Sequence, residues 1–249
     1  MPRSHKSLPR LFVEAPLAAG NTLDLSRDHT NYLLNVLRLK AGDALILFNG
    51  RDGAWMARIT SDHRKGAVVE LAVQTSHQTR RPDLWLGFAP LKTGRLDYLV
   101  QKATEMGAGV IEPVITEYTQ MHRLRPDKLE ANIIEAAEQC EVLSVPRLAP
   151  QIDLDALLAG WREREGLRRL IFCDEAAASA SPVRTLRELE GLPVGLLIGP
   201  EGGFSEAERE KLLAADFVVP ISLGPRILRA DTAVVAAMAV VQSTIGDWR

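Results

Sequence analysis

The sequence predicts a two-part α/β protein, a small antiparallel barrel or sandwich followed by an α/β domain on a mostly parallel sheet. Three observations carry this. Short apolar runs broken by Asn49-Gly50 and Asp52-Gly53 fill 43–73, and Asn-Gly or Asp-Gly between apolar runs is a hairpin signal. A polar stretch, QTSHQTRRPD over 74–83, comes next and reads as a linker. Beyond it the rhythm changes to apolar runs alternating with helical spacing, which implies parallel strands covered on both faces.

In the first part, RDHTNYLLNVLRLKAGD has helical spacing at Leu33, Leu34 and Leu37 and stops near Gly42. The strands DALILFNG, GAWMARI and GAVVELAV follow, separated by RD and TSDHRK. In the second part LWLGFAP precedes a helical TGRLDYLVQKATEMG, and VIEPVIT precedes DKLEANIIEAAEQCEVL. RLIFCD then leads to VRTLRELE, VGLLIG to SEAEREKLLAA, and FVVPISL to a final helix TAVVAAMAVVQSTIG. That last helix is apolar nearly all round, so burial against the sheet or a second subunit is expected.

The chain has 249 residues, 46% apolar and 25% charged, enough for a substantial core in one or two domains. The apolar run from Ala233 to Ile245 is too short for a bilayer span and contains Gln242 and Ser243. MPRSHKSLPR lacks the apolar run of a secretory signal, so a cytoplasmic location is expected. Cys140 and Cys173 lie far apart without a second Cys or a His at metal-ligand spacing, which points to packing roles and no metal. Residues 1–81 carry 12 Lys and Arg against 7 Asp and Glu, net +5; the rest carry 18 against 25, net −7. Four of the five histidines, His5, His29, His63 and His77, are in the first part. A basic portion on an acidic body suits an anionic polymer as partner.

Ligands in open parallel sheets bind outside the carboxyl ends of strands. One such end carries LIGPEGGFSEAE over 197–208. Ser205 with Glu208 forms a capping box, but a helix start does not require two consecutive glycines, nor a carboxylate between Pro200 and Gly202. Neither a P-loop nor a G-x-G-x-x-G fingerprint is present. Glu201 would repel phosphate and suits a neutral or cationic ligand with hydroxyls and amines. The next strand end carries ISLGPRILRADTA over 221–233, where Arg226 and Arg229 bring positive charge and Asp231 or Thr232 can cap the final helix.

These two loops, with LVQKATEMGAGVIEPVIT, PRLFV and VLRLKAGDALILFNG, resemble the RsmE family of SPOUT-superfamily methyltransferases over nearly the whole chain. The resemblance implies methylation of uridine N3 in small-subunit (16S) ribosomal RNA with S-adenosylmethionine as cofactor. It also implies a PUA-like RNA-binding domain over 1–75, a linker over 76–83, and a SPOUT domain over 84–249 with a trefoil knot, assembled as a homodimer. By position, Leu197, Ile198, Gly199, Glu201 and Gly202 would line the cofactor with Leu223, Gly224, Ile227, Leu228 and Thr232. Arg10, Arg38, Lys40 and Lys92 match family positions for RNA contact. At 142 the family pattern has Arg where this chain has Val142, and Arg147 lies five residues on.

An imide nitrogen must lose its proton before it attacks a methyl group. A guanidinium that stabilises the resulting anion is the first candidate for catalysis, and Arg229 fits that role. Asp231 or Glu201 would accept the proton, although each equally suits a cap or a cofactor contact. Methylation at another RNA position, such as a ribose 2′-hydroxyl, or a non-catalytic RNA-binding role remain the alternative readings.

Overall fold

A computed structural model describes residues 8–92, 94–177 and 181–249; His5 lies outside them. The chain divides into two compact units, one running to Arg80 and including Ala137–Val145, the other comprising Arg81–Ala136 and Pro146–Arg249.

The first unit is a five-stranded sheet in the order β1-β3-β4-β5-β2. Its strands are β1 (Arg10–Phe12), β2 (Thr22–Asp24), β3 (Ala44–Phe48), β4 (Ala54–Ser61) and β5 (Val68–Ser76). β1 runs parallel to β3, and the other pairs are antiparallel. The turn between β3 and β4 forms where expected: the Asn49 carboxamide oxygen accepts from Arg51 N at 3.1 Å and Asp52 N at 2.9 Å. Such an Asx turn offers the backbone a local partner in place of the ladder. The helical stretch is less regular than its spacing predicts, with α1 (Arg27–Asn31) passing into a π-helical turn over Tyr32–Val36. Leu33 is fully buried there among Leu45, Leu47, Ile59 and Leu71. The turn ends at Arg38 with φ of 59°, a conformation uncommon outside glycine.

The second unit is a sheet whose strand pairs are all parallel, in the order β12-β10-β11-β6-β7-β8, with β9 pairing β7. β6 (Leu84–Phe88), β7 (Val110–Ile115), β10 (Arg169–Cys173), β11 (Val194–Ile198) and β12 (Val218–Ile221) are the five apolar runs read as strands. Two-residue strands β8 (Arg147–Leu148) and β9 (Ile152–Asp153) were not among them. The helices are α2 (Arg95–Glu105), α3 (Pro126–Gln139), α4 (Leu154–Glu165), α5 (Pro182–Arg187), α6 (Glu206–Ala214) and α7 (Ala230–Thr244). Among these, α4 was not anticipated from the sequence. The end of α3 and the turn after it belong to the first unit, where the Glu138 carboxylate accepts from Phe12 N at 2.8 Å. Among the described residues no helix is long and apolar enough to cross a membrane.

The core under the sheet is aromatic. Trp85 and Trp161 meet edge to face at 5.0 Å, and Phe217 stacks on Trp161 at 5.7 Å. The Trp85 ring fills the space a side chain would take at Gly87, where a Cβ would lie 2.1 Å from a ring carbon. Its indole N–H donates to the buried Glu112 carboxylate at 2.8 Å, and Arg164 from α4 pairs with that carboxylate at 2.7 Å. α7 buries Val234, Ala237, Met238 and Val241. Gln242, also buried, donates to Met106 O at 2.7 Å and accepts from Asp247 N, so its amide is satisfied.

Candidate active site

The strand order itself locates the site. β10 lies between β11 and β12, so the chain leaves β10 for one neighbour and later returns to its other side. Such a switch opens a crevice at the carboxyl ends of the strands. A cavity of about 420 Å³ lies there, walled by 172–176 after β10, by 198–204 after β11, and by 223–224 and 226–228 after β12. That volume is in the range of small-molecule clefts.

The loop after β11 is a tight turn in which Gly203 N donates to Pro200 O at 3.0 Å, with Gly203 at φ 71°. Glycine adopts that conformation without the steric cost of a Cβ. The turn leaves Glu201 at its corner, exposed and 3.5 Å from Arg95 at the start of α2. At Gly199 a Cβ would lie 2.6 Å from the Phe204 ring, which itself sits edge to face on Phe172 at 5.1 Å. The capping box is complete: Ser205 Oγ accepts from Glu208 N, and Glu208 Oε2 accepts from Ser205 N. The other Glu208 oxygen accepts from Glu117 N at 2.8 Å, so one buried carboxylate fastens the loop after β7 to the cavity wall.

Of the residues expected around a ligand, Ile198, Gly199, Glu201, Gly202, Leu223 and Gly224 line the cavity, as do Ile227 and Leu228. Leu197 and Thr232 are not in its wall. The Leu197 side chain is fully buried in the core cluster with Trp85 and Phe172. Thr232 is exposed in the first turn of α7. Arg229 occupies the N-cap position of that helix without a side-chain capping bond, between two lining residues, Leu228 and Ala230. Its side chain is exposed and makes no ion pair among the described residues. Asp231, half-buried, accepts from Thr232 N at 2.9 Å.

The wall after β10 and its partner on α6 were missed from sequence. Asp174, buried at the end of β10, accepts from Ala176 N at 3.0 Å and pairs with Arg209 of α6 at 3.0 Å. The carboxylate's hydrogen bond holds the Arg209 guanidinium above its usual range. The pair is 35 residues apart in sequence, and only the strand order joins it.

Cys173 also lies in the wall, and burial pushes its thiol up to about 12. Since the thiolate is the reactive form, a thiol reagent near pH ~8 is expected to modify exposed Cys140 and spare Cys173 until the protein is denatured. Peptide mapping that finds both modified at one rate in the native protein would contradict this.

The residues expected to contact RNA have varied settings. Arg10 is half-buried over the Phe48 ring, 5.4 Å from its centroid, and its Nε is buried without a hydrogen-bond partner among the described residues. Burial lowers its pKa, opposed by Glu141 and Glu138. Arg38 and Lys40 are exposed, and Lys40 N donates to Asp43 in the turn before β3. Lys92 is exposed ahead of α2. Val142, half-buried, packs against Ile46, Phe48 and Leu143 in a small apolar cluster of the first unit, an environment that suits its side chain. Among the described residues no group of three or more His, Cys, Asp or Glu is arranged to hold a metal.

Comparison with known proteins joins this geometry to a chemistry. Residues 78–242 match the family model of an RNA methyltransferase domain, and 25–72 match that of an RNA methyltransferase PUA domain. The chain is 32% identical over 235 residues to the ribosomal RNA small subunit methyltransferase E of Rickettsia conorii, covering 94% of each. It is 32% identical over 253 residues to the protein of that name from Buchnera aphidicola of Schizaphis graminum, covering 97% of this chain and 98% of the other. Among solved structures, a ribosomal RNA small subunit methyltransferase E from Neisseria gonorrhoeae, bound to S-adenosyl methionine, superposes with a TM-score of 0.84 at 28% identity. That alignment covers 97% of this chain and 100% of the other. A putative methyltransferase from Legionella pneumophila in complex with the same cofactor gives 0.80 at 30% identity, covering 95% and 97%.

Proposed function

The chain belongs to the ribosomal RNA small subunit methyltransferase E (RsmE) family, and we propose from that membership that its cavity holds S-adenosylmethionine for methylation of uridine N3 in small-subunit ribosomal RNA. One observation carries the assignment to this site. The cavity at the β10/β11/β12 switch combines glycine turns, apolar side chains and carboxylates. A nucleoside with a cationic centre fits such walls: Phe172, Ile198 and Leu223 offer apolar surface, while Asp174, Glu175 and Glu201 oppose anionic ligands and accept from hydroxyls and amines. The absence of a Cβ at Gly199 and Gly202 lets the main chain come close.

S-adenosylmethionine, when bound, supplies a methyl group on a sulfonium, activated for in-line displacement. The chain's own task is then alignment, exclusion of water and removal of the N3 proton. Arg229, exposed and without an ion pair among the described residues, is the candidate to stabilise the imide anion. Asp231 or Glu201 accepts the proton; each carboxylate is near a rim loop, and each has only a weak or local partner in its present setting. Arg38, Lys40 and Lys92 are exposed cations suited to phosphate, with Arg10 contributing at its exposed edge.

We assign RNA binding to 1–75, the linker to 76–83 and methyl transfer to 84–249, in the cytoplasm with the ribosomal substrate. The order of β10, β11 and β12 supports a trefoil knot, and the half-buried Val235, Ala236, Ala239 and Val240 of α7 support a homodimer built on that helix.

Calorimetry with S-adenosylmethionine tests the site. The wild-type protein is expected to bind, and Gly199→Val to lose at least about tenfold in affinity, equivalent to ~1.4 kcal/mol, because its side chain collides with Phe204. No binding by the wild-type protein would leave only an RNA-binding role.

A further inference from the structure

A loop outside all the residues assigned so far has the composition and placement to grip RNA beside the cavity. It follows β7, over 116–125, and contains one exposed aromatic followed by exposed His122, Arg123 and Arg125. Tyr118 is 46% exposed. Its Cβ lies 3.4 Å from the position of a Cβ on Gly202, in the cavity wall. The turn that presents it is fixed from three directions. Thr116 N donates to Thr119 Oγ1 at 2.9 Å, Thr119 N donates to Thr116 O at 3.0 Å, and Glu117 N donates to the buried Glu208 carboxylate. A large ring held in water on an anchored turn gains nothing for folding from its outer face. Beyond it, Arg125 pairs with Asp127 at 2.9 Å, whereas Arg123 makes no ion pair among the described residues.

The charge of the cavity fixes how RNA can approach. Four carboxylates, Asp174, Glu175, Glu201 and Glu206, line it against two guanidiniums, Arg209 and Arg226, and Arg209 is paired with Asp174 and Glu206. The wall is net acidic, which disfavours phosphate and suits an uncharged base entering while the backbone stays outside. A base drawn out of its stack needs a new face to stack on, and proteins supply aromatic rings with cations nearby for the phosphates.

We propose, building on the methyltransferase reading above, that Tyr118 stacks on the target pyrimidine at the cavity mouth and that Arg123 holds an adjoining phosphate. Tyr118 thereby contributes to substrate binding and orientation, without touching the proton in flight.

The test uses the full-length protein and small ribosomal subunits from a strain lacking this activity. Tyr118→Ala and Tyr118→Leu are expected to lower kcat/KM for subunits by about 5- to 150-fold, the usual effect of losing one base stack, with S-adenosylmethionine affinity within about twofold of wild type by calorimetry. Tyr118→Phe restores most of the loss. Leucine keeps the contact with Gly202 and removes only the π-face, so it separates stacking from loop packing. Arg123→Gln is expected to weaken subunit binding and to flatten the plot of log affinity against log salt by about 0.7–0.9. Full activity of Tyr118→Leu, or loss of cofactor affinity in parallel with activity, overturns the proposal while wild-type methylation upholds the function. Wild-type protein that methylates nothing overturns the function, and this proposal with it.

Discussion

Replacement of Arg229 by alanine is expected to lower kcat by about 10²–10³-fold, the cost of removing one donor aimed at charge that develops in the transition state. S-adenosylmethionine affinity should stay within about twofold of wild type, because Arg229 occupies the N-cap position of α7 outside the cavity wall. A neutral imide nitrogen is a poor nucleophile, its anion is a good one, and a nearby guanidinium favours the anion. Arg229→Lys keeps the charge but loses the planar fork, so it should recover part of the rate that Arg229→Ala loses. Single-turnover rates with saturating subunits measure this directly. An alanine variant with wild-type kcat would remove Arg229 from the chemistry.

The largest effect on stability is expected at Arg164. Removing it strands the Glu112 carboxylate, whose side chain is only 3% exposed. Breaking a buried ion pair from one side costs about 3–5 kcal/mol, and Arg164 is 32% exposed, which places the cost near the lower end. Arg164→Ala should therefore lower the thermal midpoint by roughly 6–12 °C for a chain of this size. Glu112→Gln combined with Arg164→Leu removes both charges yet keeps an acceptor for the Trp85 indole, so the double variant should recover more than half of the loss. Equal melting of the single and double variants would mean that the carboxylate is not the source of the cost.

What could be read from the sequence divides along local and nonlocal lines. The Ser205–Glu208 capping box, the Asn49 turn and the five long strands depend on neighbours within a few residues, and the sequence patterns for them are explicit. α4 was not read from the sequence: Leu154, Leu157, Leu158 and Trp161 have helical spacing, but the last four residues of the helix are all charged (RERE, 162–165). β8 and β9 are two residues each and carry no periodicity.

The two strand-end loops were legible as ligand-binding turns from their glycines and prolines. Their junction with Asp174 and Arg209 was not, because it depends on β10 lying between β11 and β12. The Leu197 side chain lies in the core, which its position in the loop motif alone does not show. Val142 likewise becomes intelligible only from the apolar cluster around it.

The most direct test of the whole account is the identity of the methylated nucleoside. Purified protein is incubated with labelled S-adenosylmethionine and small subunits from a strain lacking the activity, and the digested RNA is analysed by mass spectrometry. The account predicts N3-methyluridine in the small-subunit RNA. A 2′-O-methylated nucleoside, or no transferred label from protein that binds the cofactor, would contradict it.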